Sequence, residues 1–140
     1  MLRSVELKDY MLANPIRVKA DTPLFDAVHL ILVNKISGLC VVDDNDELVG
    51  ILSELDCLEA ILGATYNETG VGPVSEYMTD DTLITSNPHE DILAVAMEMV
   101  KSKRRRQPVV ENGKLVGQIT VRQLLRAVKE FAAPVDASEH

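Results

Sequence analysis

Apolar positions along the chain alternate between two spacings, and the alternation occurs twice. Leu24, Ala27, Val28, Ile31 and Leu32 recur every three or four residues, which places them on one face of a helix. Thr22-Pro23 opens that helix, with Thr22 the expected N-cap and proline at the first position. It is expected to stop near Lys35, before Ser37-Gly38. Residues 39–42 and 48–52 are runs rich in β-branched and aliphatic side chains, and Asp43-Asp44-Asn45-Asp46 between them is turn chemistry, so they predict a hairpin. Ser53 then starts a helix to about Leu62. Upstream, residues 4–12 predict a short helix broken at Asn14-Pro15, followed by a brief strand at Ile16-Arg17-Val18.

The same pattern returns 67 or 68 residues later. Tyr10-Met11 corresponds to Tyr77-Met78, Lys35 to Lys103, Val41-Val42 to Val109-Val110, and Leu48-Val49-Gly50 to Leu115-Val116-Gly117. The offset changes before the long helix and within the hairpin, where insertions are tolerated. Residues 74–78 repeat the short first helix and 83–85 the brief strand. Ile92, Val95, Ala96, Met99 and Val100 repeat the apolar helix face, and residues 108–110 and 115–119 the hairpin, turned by Asn112-Gly113. Thr120 to about Phe131 is the closing helix. The expected organisation is a first repeat at 5–62, a polar linker at 63–73, a second repeat at 74–131 and a frayed tail at 132–140. The fold class is α+β: two strand–helix–strand–strand–helix repeats related by pseudo-twofold symmetry. A repeat of about sixty residues buries too little surface to stand comfortably alone, so the two are expected to pack sheet to sheet, with clefts between them.

Charge sharpens the picture. The net charge is −8, which argues against nucleic acid and anionic membrane as partners. Its distribution is uneven: residues 1–100 hold 5 basic and 18 acidic side chains (−13), and residues 101–140 hold 9 and 4 (+5). Five of those nine lie in Lys101-Ser102-Lys103-Arg104-Arg105-Arg106. A compact cationic spot on an acidic chain suggests a small anion. No apolar run approaches the roughly 20 residues of a membrane span, and Met1-Leu2-Arg3-Ser4 lacks a signal-peptide core. Cys40 and Cys57 sit in apolar segments without metal-ligand spacing, as buried thiols of a cytoplasmic protein would. His29, His89 and His140 show no mutual metal spacing, and Met97 and Met99 read as core filler. No nucleophile–base pair with a third member and no glycine-rich phosphate loop is present, so neither enzyme chemistry nor a catalytic cofactor is expected.

The hairpins lead into Ser53-x-x-Asp56 and Thr120-x-x-Gln123, both of which fit a capping box at a helix start. An ionised carboxylate can also accept from both hydroxyls of a cis-diol. Asp56 and Gln123 thus stand at the same cap position with different charge.

These features resemble the tandem cystathionine β-synthase (CBS) domain pair, or Bateman module, over residues 5–131. The carriers are the repeat itself, Leu39-Cys40-Val41-Val42-Asp43, Gln107-Pro108-Val109-Val110-Glu111, and the Gly-x-x-Ser-x-x-Asp pattern ending at Asp56. The resemblance implies a sensor of AMP, ADP or ATP, with the ligand in the inter-repeat cleft. It implies Asp56 and Ser53 at the ribose and phosphate, Thr22, Ala27, Ser37 and Gly38 at the base, Arg105 and Arg106 at phosphates, and Thr120 and Gln123 at the weaker site. It also implies a freestanding homodimer that reports to a regulated protein partner. The alternative is a structural dimerisation module with vestigial nucleotide sites.

Overall fold

The computed structural model describes residues 5–132. Its six strands and four helices are β1 (Leu12–Ala13), β2 (Arg17–Lys19), α1 (Leu24–Asn34), β3 (Gly38–Val42), β4 (Leu48–Ser53), α2 (Glu54–Tyr66), α3 (Ile92–Ser102), β5 (Arg106–Glu111), β6 (Lys114–Thr120) and α4 (Val121–Ala132). Single 3-10 turns at Leu7–Asp9 and Val74–Glu76 replace the two short first helices expected from the sequence. One sheet runs β2-β3-β4 and the other β1-β6-β5. The architecture is α+β with a tandem repeat, as the periodicity implies.

The packing units are not contiguous in sequence. Of the described residues, one unit comprises 15–83 with 112–115 and the other comprises the rest. Each repeat's leading segment is therefore built into the unit of the other repeat. Leu12 and Ala13 pair antiparallel with Gln118 and Gly117 of β6, and the backbones of Thr79 and Ile51 exchange hydrogen bonds at 2.8 and 2.9 Å. This explains why Leu-Val-Gly is identical in both copies. A Cβ on Gly117 would collide with the Met11 side chain and lie 3.0 Å from the Leu12 carbonyl; on Gly50 it would collide with Met78 and lie 3.2 Å from the Thr79 carbonyl.

The cores correspond position for position. In one unit Leu24, Ala27, Ile31, Val41, Leu52 and Cys57 are closed by Val74; in the other Ile92, Val95, Met99, Val109, Ile119 and Leu124 are closed by Leu7. Two positions break the match. Val18 and Leu39 of the first repeat correspond to Ser86 and Gln107, which are 2% and 3% exposed and are the buried polar side chains of the described residues.

Several expectations need correction. Thr22 does not cap α1: the N-cap is Pro23, without a side-chain bond, and the Thr22 hydroxyl accepts from the Lys19 N–H at 3.2 Å. That helix does stop where expected, and Gly38 already lies in β3. Lys35 ends it in the left-handed region, φ 53°, as Lys103 ends α3 at φ 57°. Residues 83–85 form no strand; the counterpart of the β2–β3 pairing is one parallel bridge, Ser86 to Val109. Helix α2 runs on to Tyr66, into the segment expected to be linker. Met97 is exposed, while Met99 is core. The expected frayed tail lies, beyond Ala132, outside the described residues.

Candidate functional site

Each hairpin hands its chain to a helix at a hydroxyl residue, and this corner is where the candidate residues gather. In the first repeat, Ser53 pairs with Gly38 across the ladder, and the Ser37 carbonyl accepts from the Glu54 N–H at 2.9 Å. The Ser53 hydroxyl accepts from the Asp56 N–H at 3.0 Å, and Asp56 Oδ2 accepts from the Ser53 N–H at 2.9 Å. Ser37, Gly38, Ser53 and Asp56 are thus held together by backbone geometry. Ala27 is not among them, being fully buried in the core. Thr22 lies at the other end of α1, its carbonyl taken by the Val74 N–H at 2.8 Å.

The second corner repeats the construction. The Arg105 carbonyl accepts from the Val121 N–H at 3.0 Å, the Thr120 hydroxyl from the Gln123 N–H at 3.2 Å, and Gln123 Oε1 from the Thr120 N–H at 2.9 Å. Both corners are capping boxes, so the cap alone does not set the two copies apart. A box uses one acceptor, however, and a carboxylate has two oxygens. Asp56 Oδ1 has no hydrogen-bond partner among the described residues, and Asp56 is half-buried. Gln123 Oε1 also lies 3.3 Å from the Thr120 hydroxyl, which leaves its NH2 without a partner among the described residues. One corner presents an anionic acceptor; the other presents a neutral donor.

The surroundings follow the same division. Around the first corner stand Ile36, Ser37, Gly38, Glu54, Leu55, Asp56 and Glu59; the matching positions of the second are Arg104, Arg105, Arg106, Val121, Arg122, Gln123 and Arg126. Three carboxylates and no cation are replaced by five guanidinium groups and no carboxylate. Sequence reading took up Arg105 and Arg106 but passed over Arg104, whose Nη1 donates to Gln107 Oε1 at 3.0 Å, while the Gln107 amide donates to the Ser86 hydroxyl. Aligning the repeats was enough to find it, since Ser86 and Gln107 stand where the first copy has Val18 and Leu39.

Behind Asp56, burial pushes the Cys57 thiol above its ordinary pKa, and the Asp56 charge adds to the shift. Among the described residues, no cluster of three or more His, Cys, Asp or Glu side chains could hold a metal ion, and no helix is long and apolar enough to cross a membrane.

Two copies of one strand–strand–helix corner, carried on an α+β repeat whose leading segments are exchanged, define a tandem-repeat module. The CBS domain family model matches the chain twice, at residues 7–63 and 74–130, and the chain belongs to that family. It is 38% identical over 121 residues to an inosine-5'-monophosphate dehydrogenase of Aquifex aeolicus, covering 85% of this chain and 24% of that protein. It is 29% identical to the chloroplastic CBS domain-containing protein CBSX2 of Arabidopsis thaliana, covering 86% of this chain and 61% of the relative. The chain thus spans about a quarter of the one protein's length and three-fifths of the other's. Among solved structures, CBSX2 in complex with AMP superposes with a TM-score of 0.79 at 31% identity, over 91% of this chain and 98% of that one. The CBS domain pair of protein MJ0100, in complex with 5'-methylthioadenosine and S-adenosyl-L-methionine, gives 0.74 at 26% identity, over 90% and 97%.

Proposed function

We propose that the chain is a regulatory module that binds an adenosine-type ligand through the Asp56 corner and performs no catalysis of its own. The observation that carries this reading is the unused Oδ1 of Asp56, an anionic acceptor held in place by its own cap. AMP, methylthioadenosine and S-adenosylmethionine differ in charge and in their 5' substituent, but share an adenosyl base and a ribose cis-diol. A diol is what a fixed carboxylate recognises, and hydrogen bonds to a charged acceptor contribute about 1.5–3 kcal/mol. Ser53 completes the ribose side, and Ser37 and Gly38 carry the proposed contacts to the base. A ligand bound there signals only if it prefers one of two conformations.

The test is titration calorimetry with AMP and with methylthioadenosine. Asp56→Ala is expected to weaken both by about ten-fold or more. Asp56→Asn retains an acceptor for the Ser53 N–H and should weaken both while sparing the helix start. Unchanged affinity in both variants rejects the assignment. A thermal-shift panel of AMP, ADP, ATP and the adenosyl sulfur compounds names the ligand, since the one bound by the folded state raises Tm.

A second reading is favoured by the outer helix faces. Leu32 and Val33 on α1, Leu58 and Leu62 on α2, Met97 and Val100 on α3, and Leu125 on α4 are all exposed. Apolar side chains in such number mark surfaces that another protein covers, and we propose a second copy of this chain. Sedimentation equilibrium giving a monomer mass at tens of micromolar would exclude it. A dimer unmoved by every nucleotide in the panel would leave a structural dimerisation module.

A further inference from the structure

We propose that two copies of the chain meet unlike face to unlike face, the α1–α2 face of one covered by the α3–α4 face of the other; this rests on the second-copy reading above and adds which surface that copy covers. Both faces carry the same apolar centre. Leu32 and Leu58 stand on the first, Val100 and Leu125 at the matching positions of the second, and all four are between 53% and 76% exposed. The charges set among them differ in sign. Helices α1 and α2 carry Asp26, Glu54, Asp56 and Glu59 and no lysine or arginine. Helices α3 and α4 carry Lys101, Arg122, Arg126 and Lys129 against two glutamates. Position for position, Arg126 replaces Glu59, Lys129 replaces Leu62 and Lys101 replaces Val33. Asp26, Glu54 and Glu59 have no side-chain partner among the described residues, and neither have the four cations.

Covering the apolar centres favours like-on-like and unlike-on-unlike contacts alike, so the charges decide between them. Like on like would set Glu54 and Glu59 against their own counterparts in one contact and the cations against theirs in the other, and like charges brought together oppose association. Unlike on unlike gives each set of carboxylates a set of cations instead. The shapes agree with the charges. Helices α3 and α4 leave an apolar groove lined by Ala96, Val100, Val121, Leu125 and Val128. The first face has Val28 and Glu54 where the groove has Ala96 and Val121. A neutral groove can take a projecting leucine of the first face without desolvating an acid, whereas two first faces brought together would bury Glu54 with no cation beside it.

The experiment uses the full chain at low salt, where surface charges are least screened. Sedimentation equilibrium gives the dimer dissociation constant of the wild type, of Glu59→Arg, of Arg126→Glu and of the two changes together. Each single change sets like charges against each other across an unlike contact and should weaken the dimer about ten-fold. The double change exchanges the two charges and should return the affinity to within about three-fold of the wild type. All these positions are exposed, and circular dichroism checks that each variant folds. Leu32→Cys and Val100→Cys give an independent readout with a short bismaleimide, the wild type with its buried Cys40 and Cys57 being the control. A crosslinked pair is expected when the two variants are mixed and not with either alone. Single charge changes that leave the dimer as tight as the wild type, or a double change that fails to recover what the singles lose, overturn the proposal. So does a crosslink in either variant alone, which would show like faces in contact and leave the dimer reading in place. A wild type that stays a monomer at tens of micromolar overturns both and leaves the two faces to a different protein.

Discussion

The corner at Ser53 and the corner at Thr120 share a backbone and differ in almost every side chain around it. Both close the same pair of reciprocal hydrogen bonds, one with a carboxylate and one with an amide. Folding asks only for an acceptor at the third helical position, and either residue supplies it. The atom that the cap does not use is left free to differ. That atom is an anionic oxygen among carboxylates in one copy and an N–H donor among arginines in the other. Duplication thus preserves what the helix start requires and frees the rest to diverge, in this case to opposite charge.

The hardest way to break the likeness is to deny either corner its glycine. Gly50→Val and Gly117→Val would each drive a branched side chain into the strand partner's methionine and against a carbonyl oxygen that cannot move aside. Overpacking of this kind costs about 3 kcal/mol, which should lower Tm by about 10 °C. Gly117→Val should be the worse, since its Cβ would lie nearer the opposing carbonyl, 3.0 against 3.2 Å. Scanning calorimetry showing either variant as stable as the wild type would mean that the leading segments do not pack as described.

The next comparison concerns the two mismatched core positions. Gln107→Leu alone strands the buried Ser86 hydroxyl and removes the acceptor of Arg104, at a cost of about 1–3 kcal/mol. Adding Ser86→Val should return most of that, because removing both partners restores the apolar pair of the first repeat. Urea denaturation of the two singles and the double measures the coupling. A double variant less stable than both singles would contradict the pairing.

A smaller effect tests the caps themselves. Ser53→Ala and Thr120→Ala each remove the hydroxyl that accepts from a backbone N–H, and each should cost about 1 kcal/mol. Similar losses are expected even though the neighbouring charges are opposite. A loss confined to one corner would show that the hydrogen bonds alone do not set the helix start.

Most of the helices and both hairpins were legible because periods of two and near 3.6 persist over several residues, and because Asn112-Gly113 is a strong turn signal. The exchange of leading segments was not. Leu12–Ala13 is a two-residue strand, and Ile51 meets Thr79 through a single bridge; pairings so short carry no periodicity and join residues far apart in sequence. The end of α2 was misplaced because Gly63 looks like a stop, yet a glycine with open space around it is tolerated within a helix. Thr22 was misread because Lys19 N–H, three residues back, claims its hydroxyl. At the corners, the sequence could not say which oxygen of Asp56 the cap takes up, and the structure shows that it is Oδ2 alone. The hydrogen bond from Arg104 to Gln107 was passed over although aligning the repeats exposes the polar pair Ser86 and Gln107 against Val18 and Leu39.

The gentlest probe lies just behind the first corner, where Cys57 stands in place of Leu124. Burial raises the thiol's pKa, and the neighbouring Asp56 charge raises it further, so at pH 8 little thiolate is available to react. Asp56→Asn removes the second cause and keeps the first. Reaction with an aromatic disulfide reagent should therefore quicken by a few-fold at most. The pH at which reactivity rises should move down rather than up, because the anion that opposes ionisation is gone. An unchanged profile would show that the Asp56 charge does not reach the thiol. It would also undercut the picture of a fixed anionic oxygen at that corner, to which Gln123 has no equivalent.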